Sequence, residues 1–313
     1  MRQLGLPLRS PRLQAVTLLS FSSGLPLGLV WYAIPDWMRS AGVDIQVVGL
    51  FSLAQGPWAF KVLWSPLVDR YTPLRLGRRR GWIAVTQMAL VAGFLVLAGV
   101  GHRPDAVWVV GAAALAIAIA SATQDIAIDA YAVDVLEPDE QGAAVGARTA
   151  VYRVAMIVSG GMAITVAARI GWPLVNLLLA LTYAPLLWLT MRAPEPTVRA
   201  PGPATLADAV WRPLVELFSR PRVLEILAFI ACYKLSGQLA QALVQPFLVD
   251  MGDDEVERGI AVATVSTLAT VAGTLGGGWM TTLVGLRQSL WACGILQVLS
   301  NVGYIVLARL DYP

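Results

Sequence analysis

Two carboxylates stand four residues apart at the end of a long apolar stretch. The stretch AVWVVGAAALAIAIA begins at Ala106, and SATQDIAIDA follows it with Asp125 and Asp129. A spacing of four places both side chains on one face of a helix, and Gln124 adds a hydrogen-bonding amide near that face. An ionised carboxylate inside a bilayer costs about 3 kcal/mol, so such acids face the interior of a bundle and have partners. The pattern indicates a buried polar site that can hold or exchange a proton.

The next apolar segment supplies cations for these acids. If the two segments form an antiparallel hairpin that turns near Asp139, residues whose numbers sum to about 278 lie at equal depth. This register predicts that Asp125 faces Arg153 and that Asp129 faces Arg148. Such pairs can act as a proton relay whose geometry changes during transport, or as static salt bridges between two helices.

A second polar stripe follows later in the chain. Lys234, Gln238, Gln241 and Gln245 are spaced four, three and four residues apart, so they share one face of a helix. We expect this face to line a hydrated cavity in which amides bind sugar hydroxyls and peptide groups, and Lys234 binds a substrate carboxylate. The alternative is a polar seam between two helices.

Further candidates surround these two stripes. Lys61 can line the same cavity, pair with Asp69, or extend its ammonium toward the membrane surface. Together with Arg153 and Lys234 it gives the interior an excess of cations, which suits an anionic, sugar-bearing cargo. The remaining substrate-binding candidates are aromatic side chains that can stack on sugar rings or simply pack, and two amides spaced by four: Trp31, Tyr152, Tyr233, Gln297 and Asn301.

Composition shows which elements position these residues. The 313 residues are 57% hydrophobic and only 14% charged, whereas soluble domains carry about a quarter charged residues. Apolar runs of about 20 residues recur along the chain, as the thickness of a bilayer requires. They predict nine membrane-spanning helices, at 13–35, 46–67, 82–101, 106–131, 142–168, 172–191, 223–248, 258–284 and 288–308. Kinks are expected at the breakers inside these runs, which are Gly-Leu-Pro at 24–26, Pro57, Pro66, Pro185 and Pro246.

Charge and rare residue types exclude several classes. The first apolar run lacks a small-x-small cleavage site and eight further spans follow it, which predicts a retained first helix. Most of the 23 Lys and Arg residues fall in loops on one side of these spans, which predicts a cytoplasmic N-terminus. This distribution serves membrane topology and argues against nucleic-acid binding. The only cysteines, Cys232 and Cys293, and the single histidine, His102, form no metal-ligand cluster or nucleophile and base pair. We therefore expect no metal or other cofactor and no enzyme.

The spans are divided unequally. Residues 1–191 are expected to form a six-helix bundle, 192–222 a Pro-rich cytoplasmic linker, and 223–313 the first three helices of a second bundle. Within the linker, TLADAVWRPLVELFS at 205–219 can form a short amphipathic helix at the inner surface or remain irregular. Because only three spans follow the linker, either the chain is truncated or its second bundle is incomplete.

The loop after the second span resembles the signature of the major facilitator transporters. In SPLVDRYTPLRLGRRRGW, the acid and base of that signature are Asp69 and Arg70, and its basic end is Gly77, Arg78 and Arg79. The chain departs from the signature in having Ser65 in place of the first glycine and six residues between Arg70 and Gly77. The resemblance implies the all-α major facilitator fold, whose halves are related by an axis along the membrane normal.

Longer stretches resemble the AmpG family of muropeptide permeases, in that family's order. They include FSSGLPLGL, FKVLWSPLVDRYTP, SATQDIAIDAYAVDVLEPDEQGA and YRVAMIVSGGMA. The resemblance implies proton-coupled import of N-acetylglucosaminyl-1,6-anhydro-N-acetylmuramyl peptides by alternating access, in cell-wall recycling and β-lactamase induction. It further implies a multi-pass protein of the bacterial inner membrane that acts as a monomer, with the glycopeptide, protons and the lipid bilayer as its partners.

Two other functions remain compatible with the sequence. A relative can carry a different solute, such as a siderophore or an acyl-carrier metabolite, because a shared fold does not determine the cargo. A truncated copy that does not transport is the other alternative, since three helices of the second bundle have no counterpart.

Overall fold

The computed structural model describes residues 10–74, 76–100, 106–194, 205–235 and 266–309. All regular structure in these ranges is helical, which confirms the all-α membrane class. The chain divides into two compact units, Met1–Val210 and Trp211–Pro313. The finer division into a six-helix bundle, a linker and three further helices stays a prediction.

Five helices of the first unit are long and apolar enough to cross a membrane. They correspond to the first, third, fourth, fifth and sixth predicted spans and extend several of them by a turn. We number them in chain order together with the shorter helices described below: α1 (Pro11–Ser40), α5 (Arg78–Val100), α6 (Val107–Val135), α7 (Gln141–Ile170) and α8 (Trp172–Arg192).

The second predicted span is not one continuous helix. It is divided into α2 (Ile45–Phe51), α3 (Gly56–Phe60) and α4 (Ser65–Arg70), with short 3₁₀ turns at Ser52–Gln55 and Lys61–Leu63 between them. The kinks expected at Pro57 and Pro66 inside the predicted span 46–67 coincide with these breaks. Pro57 and Pro66 lie in the first turns of α3 and α4, where the missing N–H and fixed φ of proline favour a helix start over an interior position.

The other described breakers do not end their helices. Pro26 and Pro185 lie inside α1 and α8, which continue through them. A π turn, Leu29–Ala33, follows Pro26 in α1, and α7 contains a second one at Val158–Met162. Both turns keep the helix continuous while changing its hydrogen-bond spacing. Pro246 lies outside the described residues.

Two glycines allow α1 to pack directly on the backbone of α7. A Cβ added to Gly24 would lie 2.3 Å from the carbonyl oxygen of Tyr152, and one added to Gly28 would lie 2.4 Å from that of Met156. Glycines spaced by four form a seam that lets two helices approach closely. The seam places the N-terminal half of α1 beside the polar residues of α7.

A buried polar layer separates two apolar clusters in the first unit. One cluster includes Leu25, Phe94 and Ile117, and the other includes Val16 and Ile128. In each of four helices, the residues between the two apolar stretches are buried and polar: Ser20, Ser22 and Ser23 in α1, Thr86 and Gln87 in α5, Ser121, Thr123 and Gln124 in α6, and Thr190 in α8. The candidate acids begin at the edge of this layer.

The second unit contains helices of the linker and of the second half. These are α9 (Leu206–Phe218), α10 (223–235), α11 (Ser266–Val284) and α12 (Leu286–Arg309); α9 begins just before the boundary between the units. Of the two linker alternatives, the helix is confirmed. The side chains of Thr205 and Asp208 cap it reciprocally, since Asp208 N donates to Thr205 Oγ1 at 3.0 Å and Thr205 N donates to Asp208 Oδ2 at 3.1 Å.

Candidate functional site

Lys61 lies between the two acids of α6. Its Nζ atom is 3.9 Å from Oδ2 of Asp125 and 3.9 Å from Oδ2 of Asp129. The side chain of Asp125 is 13% exposed and that of Asp129 is 60% exposed. Because the ammonium is equidistant from both carboxylates and beyond hydrogen-bond length from each, it can shift toward either one.

Asp129 has a second, closer cation. Arg148 Nη2 donates to Asp129 Oδ1 at 2.5 Å, and Arg148 Nε donates to Ser20 Oγ at 3.1 Å. This contact confirms the predicted pairing of Asp129 with Arg148. It also joins three helices, because Ser20 belongs to α1, Asp129 to α6 and Arg148 to α7.

The predicted pairing of Asp125 with Arg153 is wrong. The cation beside Asp125 is Lys61, which comes from the 3₁₀ turn between α3 and α4. The hydroxyl of Ser23 is within hydrogen-bonding reach of the same carboxylate. The contact found for Arg153 is with Met156, 3.9 Å from Nη1 to Sδ. Equal depth in the hairpin was therefore insufficient, because the side chains also have to point in the same direction around the helix axis.

A cavity of about 350 Å³ opens beside this charged cluster. Charged, hydroxyl and aromatic side chains from three helices surround it, and Val145 adds an apolar surface. The polar members are Ser20 and Ser23 from α1, Asp125 and Asp129 from α6, and Arg148, Thr149, Tyr152 and Arg153 from α7. The cavity gives the acids access to water or to a ligand.

Hydrogen bonds to neighbouring helices hold the polar part of α6 in place. Gln124 is fully buried, and its Nε2 donates to Ser22 Oγ at 2.9 Å. The hydroxyl of Tyr183 in α8 donates to the carbonyl of Ser22 at 2.7 Å. Trp64 Nε1 donates to Thr123 Oγ1 at 3.0 Å, which ties the broken second span to α6 beside Asp125. Gln124 thus lies in the supporting network and not among the residues that line the cavity.

The loop signature forms a separate ionic cluster. Arg79 Nη1 is 2.5 Å from Asp69 Oδ1, and Arg79 Nε is 2.9 Å from Asp134 Oδ2. Asp69 therefore pairs with Arg79 and not with Lys61, which excludes one of the sequence alternatives for Lys61. The cluster joins the ends of α4, α5 and α6, so it can resist their separation. Asp134 was missed by the sequence analysis because it lies one and a half turns beyond Asp129, outside the predicted span.

The other signature residues have different surroundings. The guanidinium of Arg70 lies 5.6 Å from the ring centre of Tyr71. Gly77 has a φ of +90°, which glycine adopts without strain, and it immediately precedes α5. Arg78 begins α5 and lies within the electrostatic reach of Asp69 and Asp134.

Of the remaining substrate-binding candidates, Trp31 belongs to the first unit but does not line this cavity, and the others belong to the second unit. Trp31 is 38% exposed and packs edge-on against Trp58, 6.4 Å between ring centroids. Lys234 is exposed in α10, and Asn301 is half-buried in α12. Tyr233 and Gln297 line a mainly apolar cavity of about 790 Å³ within the second unit. Gln238, Gln241 and Gln245 lie outside the described residues, so the predicted stripe they form with Lys234 stays a prediction.

Sequence reasoning missed the contribution of α1. The serines at 20, 22 and 23 supply hydroxyls to the acids, to Arg148 and to Gln124. The available signal was the small-residue spacing Ser20, Gly24 and Gly28, which is typical of a closely packed helix interface. Among the residues that the structure describes, no group of three or more His, Cys, Asp or Glu is arranged to hold a metal ion.

Comparison with known proteins places this architecture in a family. Residues 16–313 match the family described as Major Facilitator Superfamily. The chain belongs to the Major Facilitator Superfamily. The expected major facilitator fold is therefore confirmed.

Curated relatives refine the comparison. The chain is 39% identical over 305 residues to the anhydromuropeptide permease of Escherichia coli K12, covering 97% of this chain and 62% of that protein. It is 32% identical over 297 residues to an uncharacterized protein of Haemophilus influenzae, covering 93% of this chain and 70% of that protein. It is 29% identical over 308 residues to the putative transporter AmpG 4 of Rickettsia felis, covering 95% and 74%. The chain thus spans less than two thirds of the length of the Escherichia coli permease.

Proposed function

We propose that the protein carrying this sequence imports anhydromuropeptides, that is, N-acetylglucosaminyl-1,6-anhydro-N-acetylmuramyl peptides, into the cytoplasm. The observation that carries this proposal is the 39% identity to a named anhydromuropeptide permease, extending over 97% of the chain. The cavity in the first unit supports it, because its hydroxyls, aromatic ring and guanidinium groups suit sugars and peptide carboxylates. Import of this kind would serve the recycling of cell-wall fragments.

The proposed driving force is the proton gradient, acting through the cluster around Lys61. Two carboxylates and two cations balance each other when both acids are ionised. Protonation of Asp125 leaves one positive charge in excess inside the bundle, where unpaired charge is costly. Lys61 then moves toward Asp129, and the contacts between the broken second span and α6 change with it.

The broken second span supplies the moving part in this proposal. Lys61 lies on a 3₁₀ turn, and Trp64 follows it with its bond to Thr123. Short helices joined by turns can reorient by small changes at their ends without unwinding. We propose that α3 and α4 reorient relative to α6 as the cavity alternates between the two sides of the membrane.

The same proposal includes location and assembly. The asymmetry of the basic loops supports a cytoplasmic N-terminus in the bacterial inner membrane. We further propose that a single chain is the transporting unit.

Uptake into proteoliposomes tests the cargo and the coupling together. The protein carrying this sequence is reconstituted, and labelled anhydromuropeptide is supplied with an inward proton gradient, without a gradient, or with an uncoupler. We expect accumulation only with the gradient. Asp125→Asn should permit exchange of labelled for unlabelled cargo but abolish accumulation, because the amide cannot take up or release the coupled proton.

The possible outcomes separate the two parts of the proposal. Accumulation that persists in Asp125→Asn would remove the proton role and leave the static salt bridge. Gradient-driven uptake of another solute in place of the muropeptide would favour the alternative cargo. The names of two relatives give no substrate, so these relatives are compatible with that result. Failure to bind or transport any muropeptide would overturn the cargo assignment.

A further inference from the structure

Arg153 lies at the border of the charged cavity that is opposite to Arg148. The residues of α7 that line the cavity are Val145, Arg148, Thr149, Tyr152 and Arg153, which form one stripe along the helix. Arg148 and Arg153 are five residues apart and therefore differ by about 140° around the axis, so they mark opposite borders of the stripe. Arg148 is at the border next to the acids of α6, and Arg153 is at the other.

Among the described residues that line the cavity, no acid remains for Arg153 once the other charges are paired. Lys61 and Arg148 balance Asp125 and Asp129. In the part of the chain that the structure describes, the contact of the Arg153 guanidinium is with the Met156 thioether. The side chain is exposed at the cavity, so its donors remain accessible to a ligand.

The depth of Arg153 in the membrane bears on whether its guanidinium needs an anionic partner. Arg153 lies twelve residues after the start of α7 at Gln141, which corresponds to about 18 Å along the helix. The hydrocarbon core is about 30 Å thick, so a helix that enters it near Gln141 places Arg153 in its middle third. A cation at this depth is unfavourable unless an anion or water accompanies it.

We propose that Arg153 binds a carboxylate of the transported cargo. The guanidinium presents paired N–H donors that match a carboxylate, and Tyr152 beside it can contact the adjoining part of the ligand. A cavity of about 350 Å³ is at the small end of ligand sites and fits the carboxylate-bearing end of a peptide better than a whole disaccharide peptide. This inference rests on the proposed function and identifies the part of the anhydromuropeptide that occupies this subsite.

The test compares two cargoes that differ only in charge. Uptake and equilibrium binding are measured for an anhydromuropeptide and for the same compound with its peptide carboxylates converted to amides. In Arg153→Gln, we expect the KM and Kd of the carboxylate cargo to rise about tenfold, with kcat little changed and the amide cargo within about twofold of its original values. Arg153→Lys should recover part of the preference, because it restores the charge without the paired donors.

Arg169→Gln is the matched control. Arg169 belongs to the last turn of the same helix, is exposed, and does not line the cavity. This variant should retain the preference of the original protein for the carboxylate cargo.

Three results would contradict the inference in different ways. Equal losses for the two cargoes in Arg153→Gln would assign Arg153 a structural role, and an unchanged KM for the carboxylate cargo would exclude it from the site. If the original protein neither binds nor transports either cargo, the proposed function fails and this inference fails with it.

Discussion

Substitution of Gly28 tests the seam between α1 and α7. The Cβ of an alanine at this position would lie 2.4 Å from the carbonyl oxygen of Met156 and 2.2 Å from Ser159 Oγ, whereas ordinary contacts begin at 3.4 Å. The backbone oxygen cannot rotate away, so the helices have to separate by about 1 Å at this level. Forcing a methyl group into a well-packed interface costs about 1–3 kcal/mol. We therefore expect Gly28→Ala to lower the free energy of unfolding by about 2 kcal/mol, despite the higher helix propensity of alanine.

Unfolding in mixed detergent micelles, followed by circular dichroism, measures this change. The matched control is Gly161→Ala, because a Cβ on Gly161 of α7 would meet no atom within 4 Å. The control should be neutral or stabilising by about 0.5–1 kcal/mol. If Gly28→Ala is as stable as Gly161→Ala, the two backbones do not approach as described. The positions of Ser20 and Ser23 relative to the acids would then also be in doubt.

Three further changes test other contacts. Arg79→Gln removes the shared partner of the partly exposed Asp69 and Asp134 carboxylates, so it should destabilise the first unit by about 1–2 kcal/mol in detergent unfolding. If the original protein were equally stable at low and high salt, this result would argue against the ionic cluster. Tyr183→Phe should cost about 1 kcal/mol in the same assay through loss of the bond to the Ser22 carbonyl, and an unchanged stability would exclude that bond. Asp208→Ala removes the carboxylate that accepts from Thr205 N, so hydrogen exchange of the Thr205 amide should accelerate about fivefold, whereas unaltered exchange would show that this half of the cap does not hold the helix start.

The fold was largely predictable because bilayer thickness constrains the length of apolar segments. Five of the predicted spans have matching helices that are long and apolar enough to cross a membrane. For the second span, hydropathy predicted an apolar segment and its prolines predicted kinks, but the division into three short helices was not predicted. Pro57 and Pro66 were recognised as breakers, yet their effect depends on whether neighbouring groups compensate for the lost hydrogen bonds.

The residues that form the site were predictable from the sequence more than the ion pairs between them. The hairpin register correctly placed Asp129 opposite Arg148, because the register determines which residues of the two helices lie at equal depth. It gave the wrong partner for Asp125 because Arg153 comes five residues after Arg148. This spacing places Arg153 about 140° further around the helix axis, at the other border of the stripe that lines the cavity. The actual partner, Lys61, is brought there by the turns of the broken span, and no pattern within the hairpin contains that information.

The polar layer also has a consequence for the order of synthesis. The hydroxyl of Ser22 accepts from Gln124, 102 residues later, Ser20 accepts from Arg148, 128 residues later, and the carbonyl of Ser22 accepts from Tyr183, 161 residues later. At about 5–20 residues per second, the ribosome needs roughly 5–30 s to produce these partners after α1 has emerged. During this interval, the hydroxyls of α1 and its glycine surface lack their final neighbours. The first helix therefore depends on the insertion machinery, or on water at the translocon, until the fourth, fifth and sixth spans arrive.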